Sequence, residues 1–256
     1  MKVRSLSLRE PDANLLSEPP IATFANEGLC LVSIASAWGF WGGLEGEGPV
    51  ARAAFDALKG RAADPQPDWD AALEQAFGDA TRALGELPWS EGAEELAPSS
   101  TLTCVVATPG GIWIRWSGAL EVIRIRGGRH ITGTQAHTLY NRARRESLEE
   151  ADLVSKHMPA KTILTSYLDP QGRVPEGAEM THWTALQPGE ALVVTKNSLV
   201  ERLRARLPEV PRRPDALLEY VLRLDEGRLN AAGRPVEPDR IGVVISREDR
   251  PMRLEF

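Results

Sequence analysis

His137 is the first candidate for chemistry, because an imidazole at the head of a helical run can act as a general base. Beside Ala136 and at a helix start, it reads instead as a capping or packing residue. No Ser-His-Asp or Cys-His arrangement can be argued from the spacings. Cys30 and Cys104 each lie in an apolar, strand-like run without a partner at metal-ligand spacing, so both read as buried reduced thiols. Gly39 to Gly48 is glycine-rich but lacks the Lys and Ser/Thr of a phosphate loop. The basic stretches Arg142 to Arg145 and Arg202 to Arg206 sit in helical patterns among acids and read as solvated faces, not phosphate clamps. Trp38, Phe40 and Trp41 crowd the glycine-rich loop, either as core or as an exposed platform for a partner.

The elements that must position these residues follow from periodicity. Val3 to Leu8 alternates apolar and polar residues as a half-buried strand should, and Ile21 to Ala25 and Leu29 to Ala35 are short apolar strand runs. Val50 to Leu58 is helical. Asp68 caps a second helix whose Trp69, Leu73, Phe77, Ala80 and Leu84 recur at helical spacing. Thr101 to Ala107, Gly111 to Trp116 and Leu120 to Arg126 read as consecutive strands, and Gly127-Gly128 turns into a fourth. Further on, His137 to Leu153 is helical, Ala191 to Val194 is a buried strand, and Leu199 to Leu207 and Asp215 to Leu224 are helices. Ile241 to Ile245 is a last strand, with Met252 to Phe256 a candidate to follow it. Strands in adjacent runs and helices in pairs predict an α+β sandwich of antiparallel sheets with helices outside. A chain of 256 residues, 42% apolar and 26% charged, is long enough for one large soluble domain. Its net charge of −6 argues against a nucleic-acid partner. No apolar run spans a bilayer and Met1 to Pro20 lacks a signal segment, so a cytoplasmic protein is expected.

The order of these segments resembles the PPM, or 2C-type, protein serine/threonine phosphatases. Glu10-Pro11-Asp12-Ala13 stands where that family has Asn-Glu-Asp-Ala, and Ile34-Ala35-Ser36-Ala37-Trp38-Gly39-Phe40 where it has Val-Ala-Asp-Gly-Met-Gly-Gly. Ser100-Thr101-Leu102-Thr103 resembles a Thr-Thr-rich strand, and Gly118-Ala119-Leu120-Glu121 the Gly-Asp-Ser-Arg step. Thr134-Gln135-Ala136-His137-Thr138 looks like Thr-x-Asp-His-Ser. Val194-Thr195-Lys196-Asn197-Ser198-Leu199 takes the place of Cys-Ser-Asp-Gly-Leu, and Asp239-Arg240-Ile241-Gly242 that of Asp-Asn-Ile-Thr. The resemblance covers nearly the whole chain. It implies an αββα sandwich of two antiparallel sheets flanked by helix pairs, one domain over residues 1–256, with flap or helical elaborations near 138–180 and 200–236.

The family's chemistry resembles two-metal hydrolysis, in which aspartates hold two Mg²⁺ or Mn²⁺ ions and these activate a bridging water. Here the matched aspartates are replaced by Ser36, Ala119, Ala136 and Asn197. Hard dications need anionic oxygen ligands to repay dehydration, and a hydroxyl bridge does nothing to offset their mutual repulsion. Of the matched metal ligands, only Asp12 and Asp239 remain, and each has a plain alternative role, as a turn former and a strand cap. The degenerate cleft is thus Ser36, Ala119, Ala136, His137 and Asn197, with no cofactor expected beyond a weakly held Mg²⁺ or Mn²⁺. Acids that stand at none of the matched aspartate positions, Glu45, Glu47 and Glu121, stay open as substitute ligands.

The resemblance then points to a pseudophosphatase, a protein-binding or regulatory module in phosphorylation signalling. Its expected partner is a protein: a kinase, a phosphoprotein or another regulator, with no membrane or nucleic acid involved. Two alternatives remain: a divergent Mn²⁺- or Mg²⁺-dependent serine/threonine phosphatase, and a sensor of a phospho-ligand or small molecule.

Overall fold

A computed structural model describes residues 1–8, 20–38, 47–87, 99–161, 163–169, 171, 177–211, 214–224 and 240–247. The strands are β1 (Lys2–Leu8), β2 (Ile21–Ala25), β3 (Cys30–Trp38), β4 (Ser99–Ala107), β5 (Ile112–Ser117), β6 (Leu120–Arg126), β7 (Arg129–Gly133), β8 (Glu179–Trp183), β9 (Glu190–Lys196) and β10 (Arg240–Ser246). The helices are α1 (Glu47–Arg61), α2 (Trp69–Gly85), α3 (Leu139–Glu146), α4 (Leu148–His157), α5 (Asn197–Ala205) and α6 (Pro214–Arg223). Two five-stranded antiparallel sheets result, in the orders β1-β10-β9-β6-β7 and β2-β3-β4-β5-β8.

The apolar runs are near-continuous because both faces of the central strands are covered. In β3, Leu31 and Ala35 pack with α1 and α2, while Cys30, Val32 and Ile34 face the other sheet. The same division runs through β4, where Leu102, Cys104 and Val106 join the helix layer and Val105 and Ala107 the inter-sheet core. In β6, Leu120 and Val122 point between the sheets, and Ile123 and Ile125 pack with α5 and α6. Four layers, αββα, follow from this alternation.

Local chemistry sets the boundaries. The Asp68 carboxylate accepts the Asp70 and Ala71 N–H groups at 3.1 Å, which caps α2. Gly127 and Gly128, at φ 54° and 76°, supply the two left-handed residues of the β6–β7 hairpin. Two sequence expectations need correction. The helix expected over residues 137–153 is two helices, because Ser147 adopts an extended conformation (φ −160°, ψ 157°) and its hydroxyl caps α4 at Glu150 N–H. Strand β8 was not foreseen: its Glu-Met-Thr-His-Trp sequence has no β-branched run, and it forms by pairing with β5. Met252 to Phe256 lies outside the described residues. Among the described residues, no helix is long and apolar enough to cross a membrane.

Candidate functional site

The chain crosses from one sheet to the other at Gly118-Ala119, between β5 and β6. Gly118 has φ 99°, and a Cβ built there would lie 2.2 Å from the Thr101 methyl, so only glycine fits the corner. Around this corner the structure gathers the positions singled out in the sequence. The Gly118 N–H donates to His137 Nδ1 (3.1 Å), and the His137 N–H donates back to Gly118 O (2.8 Å). The Asn197 N–H, opening α5, donates to Ala119 O at 2.9 Å. Ser36 closes the other side, its carbonyl accepting the Thr101 hydroxyl at 3.1 Å. Ser36, Ala119, Ala136, His137 and Asn197 therefore share one end of the sandwich.

Their polar atoms serve the fold. The Asn197 side-chain amide donates to Lys161 O at 3.3 Å, and the Asn141 amide donates to Ala136 O at 2.8 Å. His137 is 2% exposed and stacks on Trp116, with ring centroids 5.8 Å apart and planes 5° apart. Because Nδ1 accepts from Gly118, the ring proton resides on Nε2, which lies 3.3 Å from Glu179 Oε1. The same Glu179 oxygen takes Arg145 at 2.7 Å. The Trp116 indole N–H donates to Gln135 O at 2.9 Å, so tryptophan and imidazole brace the 134–138 turn from one side.

Trp113 and Trp116 have opposite environments. Trp116 belongs to the inter-sheet core, while Trp113 faces α2, 6.5 Å from the Trp69 ring, and stacks on His182. Phe40, Trp41, Asp12, Asp239 and Glu45 lie outside the described residues, and of Trp38 only the backbone, paired with Ser99, is described.

The acids left open by the sequence are placed as follows. Glu47 is buried in the first turn of α1. Glu121 does not enter the cleft: its β6 neighbours Leu120 and Val122 point between the sheets, so Glu121 points the other way, toward α5. There Oε1 accepts the Ala136 N–H at 3.2 Å, and Oε2 lies 3.0 Å from Arg204. Burial pushes this carboxyl above its ordinary value, against the opposing pull of Arg204 and the Ala136 N–H. The solvated-face reading of Arg202 to Arg206 is thereby corrected for two arginines, since Arg202 donates to Leu224 O and Arg204 pairs with Glu121. A lone glutamate in an apolar strand run was the one sequence signal for this pair.

A second buried cluster holds the far end of the same sheet. Glu190 takes Arg124, bonded through both Nε and Nη2, together with Arg126 at 2.6 Å and the Gln187 N–H at 2.8 Å. Burial alone would raise its pKa, but these donors outweigh it and hold the carboxyl below its usual range.

No family model and no curated protein sequence matches the chain. Solved structures do. The serine/threonine phosphatase of S. agalactiae is 16% identical with a TM-score of 0.68, over 96% of this chain and 99% of that one. PppA, described as a key regulatory component of the T6SS in Pseudomonas aeruginosa, is 18% identical with a TM-score of 0.58, over 95% of both chains. The catalytic domain of the phosphatase PstP, in complex with 2 manganese ions, is 16% identical with a TM-score of 0.55, again over 95% of both. The chain has the fold of the 2C-type serine/threonine phosphatases.

The expectation of no cofactor beyond a weakly held ion is corrected by PstP, a protein of this fold whose catalytic domain holds 2 manganese ions. The described residues do not fit a two-metal site. Ser36, Ala119, Ala136 and Asn197 contribute no carboxylate, and among the described residues no group of three or more His, Cys, Asp or Glu is placed to hold a metal ion.

Proposed function

We propose that the chain is a catalytically impaired homologue of the 2C-type phosphatases that works as a protein-binding or regulatory module. One observation carries this reading. Four cleft positions where the family resemblance places aspartates bear a hydroxyl, two methyls and an amide, and that amide is spent on a backbone carbonyl. Nothing anionic remains at these positions to bridge cations or polarise a nucleophilic water. Among the described residues both sheets and three buried apolar clusters are in place, so these replacements bear on chemistry and not on folding. PppA supports the regulatory side, since a protein of this fold is described as a regulatory component of a larger system. For this chain the partner class we favour is a kinase, a phosphoprotein or another regulator.

The test is phosphate release from a phosphoserine peptide, measured across a Mn²⁺ titration on calorimetrically monitored protein. The expected turnover stays at background at every Mn²⁺ concentration. Turnover that rises with Mn²⁺ and disappears in Asp239→Ala would instead establish a divergent metal-dependent phosphatase. That second reading draws on the fold's manganese-bearing relative.

A further inference from the structure

We propose that Glu121 and Arg204 form an acid-released latch that fastens the C-terminal turn of α5 to the 134–138 turn. The geometry has three parts. The Glu121 carboxylate is buried, with 4% of its side chain exposed, and it bridges two separate elements through different oxygens. Its partner Arg204 is one-third exposed and has a path to solvent, while its buried Nε has no hydrogen-bond partner. Finally, α5 begins at Asn197, whose N–H bonds to Ala119 O, so the helix fastened at Arg204 is also tied at its other end to the Gly118-Ala119 corner.

The charged and titratable groups around the latch all bear on its direction. On α5, Glu201 adds negative potential and raises the Glu121 pKa further, although it is itself paired with Lys161 at 3.2 Å. On β7, His130 is held below its ordinary value by desolvation and by the Arg204 charge. On β9, the residue opposite Glu121 is the uncharged Thr195, with Lys196 opposite Leu120. From the 134–138 turn, the contact is the Ala136 N–H, with the buried His137 ring next in sequence.

Acidification acts on this arrangement twice in the same sense. It neutralises the anion that holds Arg204, and it charges His130, whose cation repels Arg204. A carboxyl whose folded-state pKa is raised contributes stability that is present below its unfolded pKa and lost as pH rises through the folded one. Protonating Glu121 therefore favours the folded chain as a whole while cutting its tie to Arg204. The release is local, not an unfolding.

The experiment is amide hydrogen exchange of the full chain at pH 8 and pH 5, corrected for intrinsic rates. Protection of residues 203–206 and 135–137 should fall about fivefold at pH 5, with the rest of α5 and the inter-sheet strands unchanged. Glu121→Gln, which imitates the protonated acid, should have the low protection at both pH values and melt no lower than the wild type at pH 8. Arg204→Met should likewise abolish the pH dependence. Protection that is independent of pH in the wild type, or a pH-dependent loss that persists in both variants, overturns the latch.

Discussion

Replacing Gly118 by alanine probes the corner on which the cleft is built. At φ 99° a side chain is strained, at a cost of about 1–3 kcal/mol. The added Cβ would stand 2.2 Å from Thr101 Cγ2, 2.5 Å from its Cβ and 3.2 Å from its Cα, inside any real contact distance. Thr101 cannot retreat freely, because its hydroxyl is bonded to Ser36 O and its strand is paired on both sides. Overpacking of this kind costs about 1–3 kcal/mol more. The sum, about 2–6 kcal/mol, is a large share of a typical domain's stability and corresponds to a melting point lower by about 5–20 °C. Calorimetry or urea unfolding measures it directly. The steric half should be recoverable: with Thr101→Gly in the same chain, the two losses should be sub-additive by about 1–3 kcal/mol. A Gly118→Ala variant that melts within about 2 °C of the wild type would refute the argument from the corner. So would strict additivity with Thr101→Gly.

Two other perturbations have defined outcomes. Glu190→Ala strands the buried Arg124 without its anion and should cost about 3–5 kcal/mol in urea unfolding. Because the Glu190 carboxyl is held below its usual range, its stabilisation is present above the unfolded pKa and lost as pH falls through the folded one. Acid unfolding of the wild type should therefore lose stability in that window, and the variant should lose less. Burial pushes both thiols, Cys30 and Cys104, up to about 12, so neither should react with iodoacetamide at pH 8 until the chain is unfolded. Labelling of either cysteine in the native protein would contradict the burial described for β3 and β4.

By itself the sequence determined most of the elements and the layer architecture. Alternation and helical spacing are consequences of backbone geometry acting on each segment, and they survive without knowledge of the partners. It also determined which side-chain types stand at Ser36, Ala119, Ala136 and Asn197, and hence that no carboxylate comes from those four. Pairing was decided only in three dimensions. Strand β8 exists because β5 presents it a ladder, and α3 and α4 separate because the Ser147 hydroxyl can satisfy a helix start. Trp113 and Trp116 are three residues apart in one strand, so they point to opposite faces, and only the packed sheets show that one meets α2 and the other the inter-sheet core. Glu121 turned away from the cleft to meet Arg204 by the same parity. A charge buried in an apolar strand must find its counter-charge from whatever helix the fold lays across it, and no local pattern specifies that helix.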